Sequence, residues 1–376
     1  MQFLSMSLFR FVIIPTLLLS CGVAGQTEAP SASGAEQARG IVLDPVQGGW
    51  NAQSIVQPAN SGSVTGGFAV DLKSELDRFR AERNMALARN QGTLPPAELG
   101  KLGTMASELN GLAAGSFEAH LANYYVAFPS PGAFSELDKA RSLGVGRSEL
   151  LGPLLVAAAR TDDRAELVLR AKEMKAKGEM AAGLYRLAQD IFASLERDAV
   201  LIAAGEMDAF PLWVGQYADG QRTDVLVVDE RLLADAAYRT RIWGRAKASG
   251  PVAPEQGFAA ALGKASPRPV HLSLALGPAV LAPLSAELYV TGIAMRYSVV
   301  PVDNIPMLEA RWGKFSKALD AGPLSRNYLV PGSVLLAHYR AIGDEARASA
   351  LELELRRMAE RLGATNSMIK SGVFAH

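Results

Sequence analysis

The chain is poor in the residues that build covalent and metal centres, with one cysteine and four histidines among 376 residues. A lone cysteine excludes an intramolecular disulfide and any thiolate cluster. His120, His271, His338 and His376 are too few and too scattered to suggest a histidine metal site. Neither sign of charge is in excess: 38 Lys+Arg stand against 38 Asp+Glu. That balance lacks the electrostatic footprint of nucleic-acid or polyanion binding, so no nucleic-acid partner is expected. Long apolar runs are missing downstream of the N-terminus, where none reaches the ~20 residues a spanning helix needs. Catalytic templates are missing as well: there is no Gly-x-Ser-x-Gly elbow, Walker loop, His-Glu-x-x-His or post-strand Gly-x-Gly-x-x-Gly. Residues alone therefore nominate no catalytic side chain, no metal and no cofactor.

What is present is a globular composition, 49% hydrophobic and 20% charged. Residues 1–25 read as an export signal: Arg10 closes a short polar start, Phe11 to Leu19 is apolar, and Ser20, Gly22, Ala24 and Gly25 are small. The segment Leu18-Leu19-Ser20-Cys21-Gly22 resembles a bacterial lipobox, which implies cleavage before Cys21 and lipidation of that cysteine. Leu19 departs from the smaller residue usual at that place, and cleavage after Ala24 or Gly25 is the competing reading. The first case predicts an anchor in the bilayer and the second a secreted or soluble periplasmic chain. Loss of the signal removes only Arg10, so the mature charge is 37 − 38 = −1. Residues 26–68 follow as a tether and turn-rich segment, rich in Ala, Ser, Gly and Glu.

Periodicity divides the remainder into three parts. Residues 69–197 show apolar positions at helical spacing separated by short turns, predicting a run of helices ending in helical hairpins. Residues 302–376 repeat that layout. Leu154-Leu155 before Thr161-Asp162-Asp163 matches Leu335-Leu336 before Gly343-Asp344, and each second helix closes on Met and then Gly, at Met174 and Gly178 or Met358 and Gly363. These pairs resemble tetratricopeptide-like hairpins without a sustained 34-residue period. Between them, residues 198–301 change period. Ala199 to Ala204, Asp224 to Asp229, Val270 to Ala275 and Tyr289 to Tyr297 read as strands, with helical stretches interposed. The expected fold is thus α/β: a small open, mostly parallel sheet of about four strands, flanked by helical hairpins in a helix-rich chain.

Open sheets of this kind bind ligands beyond the carboxyl ends of their strands. Glu206, Asp208, Asp229 and Glu230 are expected on that rim, where carboxylates suit a hard cation, sugar hydroxyls or paired acid–base chemistry. A purely local role competes: Asp208 stands where a helix N-cap belongs, with Pro211 in the first turn. Arg222 is expected at the opposite edge, paired with a carboxylate there. His271, inside a strand, is expected to be a core or rim histidine.

One stretch carries a family likeness. Gly205-Glu206-Met207-Asp208-Ala209-Phe210-Pro211-Leu212-Trp213 is followed by Gln216, Gly220, Arg222, Asp224-Val225, Val227-Val228 and Leu232-Leu233. Further on come Arg268-Pro269-Val270, Gly292-Ile293 and Arg296-Tyr297. Together these resemble the soluble region of bacterial protein O-mannosyltransferase-like membrane proteins. Glu206 replaces the usual Asp, and the multi-pass portion that carries glycosyl transfer has no counterpart in this sequence. The resemblance implies a shared soluble fold and little about transferase activity. The leading expectation is an exported, lipid-anchored envelope protein that binds or scaffolds a protein or glycan partner. The alternative is an enzyme acting on envelope glycan through the acidic rim.

Overall fold

The computed structural model describes residues 71–90 and 94–374. The signal, Cys21 and the tether lie outside these residues. The helical arm runs α1 (Leu72–Arg89), α2 (Pro96–Ala113), α3 (Phe117–Ala127), α4 (Pro131–Leu143), α5 (Leu151–Thr161), α6 (Arg164–Lys177) and α7 (Ala182–Ser194). The α/β layer follows as β1 (Val200–Ala203), α8 (Glu206–Tyr217), β2 (Leu226–Asp229), α9 (Ala236–Arg245), α10 (Phe258–Ala265), β3 (Val270–Ser273), α11 (Pro278–Leu281), β4 (Leu288–Val290) and β5 (Ala294–Tyr297). The chain continues with α12 (Ile305–Trp312), α13 (Leu329–Ala341), α14 (Glu345–Arg361) and α15 (Thr365–Lys370).

The five strands form one open mixed sheet in the order β2-β1-β3-β5-β4. The first three are parallel, as the strand–helix alternation requires, with Val200 opposite both Leu226 and Val270. The run Tyr289 to Tyr297 is not one strand but an antiparallel hairpin, which makes the sheet mixed and adds a fifth strand. Its turn is set at Gly292, whose φ of 150° and close approach to Ser194 leave no room for a Cβ. Every residue of β1, flanked by β2 and β3, has 0% exposure. A strand covered on both faces is read as a continuous apolar run, as Val200-Leu201-Ile202-Ala203 is.

Both hairpins with matching sequence also match in geometry. In the α5–α6 turn Asp162 takes a left-handed φ of 61°, and the Asp163 carboxylate accepts from the Glu166 N–H. In the α13–α14 turn Gly343 is left-handed at 72°, and Asp344 accepts from the Arg347 N–H. A left-handed residue followed by an aspartate cap reverses the chain and starts the next helix. The C-terminal segment is fastened to α7 through one buried carboxylate. Asp190 Oδ2 accepts from the Ser316 N–H, the Ser316 hydroxyl and the Tyr328 hydroxyl, at 2.9, 2.6 and 2.6 Å. Among the described residues no helix is long and apolar enough to cross a membrane.

Candidate functional site

Parallel pairing sets Ala203 beside Asp229 at the carboxyl ends of β1 and β2. Because β2 and β3 lie on opposite sides of β1, the chain changes direction across the sheet here, which is where open α/β layers form their crevices. Gly205 turns the chain off β1 at φ 81° and ψ −161°, a conformation that favours glycine, and caps α8. Helix α8 therefore starts at Glu206, before the Asp208 cap that the sequence suggests. Asp208 is its third residue rather than its N-cap, and Pro211 lies inside the helix. The Asp208 carboxylate still serves the helix start, reaching back to accept from the Ala204 N–H at 2.7 Å.

The side chains that meet Glu206 come from far along the chain. Arg83 of α1 makes a two-point contact with it, at 3.2 Å to Oε2 and 2.5 Å to Oε1. Arg231 donates to Glu206 Oε1 at 3.1 Å and grips Asp229 with Nε and Nη2 at 3.0 and 2.6 Å. The result is an alternating row, Arg83–Glu206–Arg231–Asp229, with two cations and two anions. Its members are largely shielded from water: the Arg83, Glu206 and Asp229 side chains are 6%, 11% and 0% exposed. Aromatic faces complete the enclosure, with Arg83 over Tyr125 and Arg231 over Phe128 at 4.2 and 4.9 Å from the ring centres. Pairing on this scale offsets the large cost of removing the charges from water.

The electrostatics follow from that arrangement. Burial would push the Glu206 carboxyl up, but Arg83 and Arg231 outweigh it and hold it down at about 2. Arg231 is driven the other way: burial opposes its charge, and Asp229 and Glu206 more than restore it. Asp208 has no such cation. Burial pushes its carboxyl up, the Ala204 N–H and the nearby Ser273 hydroxyl pull it down, and Asp229 adds to the rise. Its Oδ1 is buried without a well-formed hydrogen bond. Glu230 is raised by burial and by Asp229, and it has no hydrogen bond or ion pair among the described residues.

The structure thus gathers all four rim carboxylates at one edge but gives them different surroundings. Glu206 and Asp229 are joined through a single guanidinium, Asp208 is enclosed, and Glu230 stands outside the row. Among the described residues no group of three His, Cys, Asp or Glu could hold a metal ion. A narrow cleft opens against Arg83 and Glu206, bordered by Arg80, Asn84, Tyr125, Glu179 and Phe210. Its free volume of about 30 Å³ is roughly a tenth of what small-molecule sites offer. Arg83 was not a sequence candidate, since 123 residues separate it from Glu206. Arg231 was nearer to hand, two residues after Asp229 and next to Glu230.

At the opposite edge Arg222 pairs with Asp224, as expected, at 3.0 Å. That contact is the main reason the Asp224 carboxyl falls to about 2. His271 is fully buried in β3, where burial lowers its pKa against the pull of Glu196, whose Oε2 is 3.4 Å from Nε2.

Comparison with known proteins adds one finding. Residues 184–256 match the family model described as TMEM260-associated domain 2. That segment covers most of α7 and all of β1, α8, β2 and α9, and contains Glu206, Asp208, Asp229, Glu230 and Arg231 but not Arg83. No curated protein and no solved structure matches the chain.

Proposed function

We propose that this chain is an exported cell-envelope protein, held to the bilayer by an acylated Cys21 and facing the periplasm. In this reading it acts as a binding or scaffold module for a protein or glycan partner. The observation that carries the reading is the row Arg83–Glu206–Arg231–Asp229. Two of the four rim carboxylates are already neutralised and one of them, Glu206, is fastened to the helical arm, which favours a rigid docking body over paired carboxylate chemistry. The match over residues 184–256 and the Gly205-to-Leu233 motif together support a module shared with the soluble region of O-mannosyltransferase-like membrane proteins.

One observation favours the alternative, an enzyme acting on envelope glycan. Asp208 is an enclosed carboxyl with a raised pKa, the condition of a general acid. Fatty-acid labelling and cell fractionation of the full chain against Cys21→Ser test the anchor, with cross-linking in the same cells testing the partner. The proposal expects label and membrane association that Cys21→Ser abolishes, with one reproducible cross-linked species. Turnover of an envelope glycan that Asp208→Asn abolishes, in a chain that still folds, would establish the enzyme instead.

A further inference from the structure

We infer that a groove between α6 and the connection from α4 to α5 is a binding site for a single-chain amphiphilic anion, a medium-chain alkyl carboxylate. The groove shares no residue with the ion-pair row. Leu150, Leu151 and Leu154 line it, and Val145 and Leu169 stand at its sides. These last two are 87% and 45% exposed, a state that leaves apolar surface in water where a ligand would cover it. The free volume is about 290 Å³, near the low end for small-molecule sites. A groove of that size with leucine walls suits a single alkyl chain.

The charges beside the groove select the head group. Arg141, Arg147, Arg170 and Lys177 line it against one carboxylate, Glu173. The arginines are committed and held in place. Arg141 pairs with Glu166 at 3.1 Å, Arg147 lies between Glu118 and Glu149 at 2.6 and 2.7 Å, and Arg170 joins Glu166 to Glu173. The side chain of Lys177, the last residue of α6, makes no ion pair or hydrogen bond among the described residues and feels Glu179 only at longer range. One cation without a close partner, lining an apolar groove, matches one carboxylate on an alkyl tail.

Calorimetric titration of the full chain with decanoate, kept below its micellar concentration, tests the assignment. Decanol, acetate and an acidic amphipathic peptide serve as competing probes. Leu169→Asp and Lys177→Glu alter exposed positions, and a thermal melt establishes that each variant folds. The expected result is saturable one-to-one decanoate binding, weakened about tenfold or more by each variant, with decanol at least tenfold weaker and acetate not bound. The assignment is overturned if decanoate does not saturate, if both folded variants bind it like the parent chain, if decanol binds as tightly, or if the peptide binds and decanoate does not.

Discussion

Glu206→Gln tests the ion-pair row through its dependence on pH. A glutamate carboxyl ordinarily titrates near 4.5, and in the fold Glu206 is held at about 2. Because the folded value lies below the unfolded one, the stabilisation is fully present above pH 4.5 and is lost as the pH falls toward 2. The gap corresponds to about 3 kcal/mol. The side chain is only 11% exposed, so solvent screening removes little of this. Glutamine keeps the shape but cannot ionise. At pH 7 the variant should therefore be less stable by about 3 kcal/mol, since Arg83 and Arg231 lose a charged partner. As the pH is lowered from 5 to 2, the stability curves of the two proteins should converge. Urea denaturation at closely spaced pH values, followed by circular dichroism, reads both quantities. Parallel curves through that window would refute the reasoning, as would a loss at pH 7 well below 1 kcal/mol.

Three further outcomes follow from single contacts. Gly205→Ala places a Cβ 3.2 Å from Arg231 Nε at a left-handed φ, so denaturation should show a loss of about 1–3 kcal/mol. An unchanged midpoint would contradict the strain argument. His271 is kept neutral by burial, and its folded pKa lies below the unfolded one, so stability should fall as the pH drops below about 6.5. His271→Gln should flatten that limb without touching the one assigned to Glu206, which pH-resolved melts would separate. Asp190→Ala removes the acceptor of three hydrogen bonds that fasten residues 316–328 to α7. It should cost about 2–4 kcal/mol, with the C-terminal amides losing protection in hydrogen exchange first.

Much of the architecture is legible in local pattern, because local pattern reports which faces are buried. Val200 to Ala203, Leu226 to Asp229 and Val270 to Ser273 are short β-prone runs between helical periods, and all three are parallel strands of the sheet. The two helical hairpins announce themselves through a left-handed residue and an aspartate cap. The β4–β5 hairpin was hidden because Tyr289 to Tyr297 contains a single turn residue, Gly292, within an otherwise β-prone stretch. The start of α8 was misplaced because Pro211 suggests a first turn, whereas the helix tolerates it further in. The rim carboxylates were found from topology alone. Their neutralisation was not, since Arg83 belongs to a helix remote in sequence and a contact of that kind leaves no local trace. Asp229 and Arg231, two residues apart, did leave one.

Glu206 and Arg83 tie the helical arm to the sheet edge, so the rim is an interlocked body rather than a set of free carboxylates. A double-mutant cycle with Arg83→Met and Glu206→Gln measures that tie directly. Glu206→Gln leaves the buried Arg83 without its ion-pair partner and Arg83→Met leaves Glu206 with Arg231 alone, while the double variant removes both charges. The account predicts a coupling of about 2 kcal/mol or more, with the double variant far less destabilised than the sum of the singles. Additivity within about 0.5 kcal/mol would contradict it.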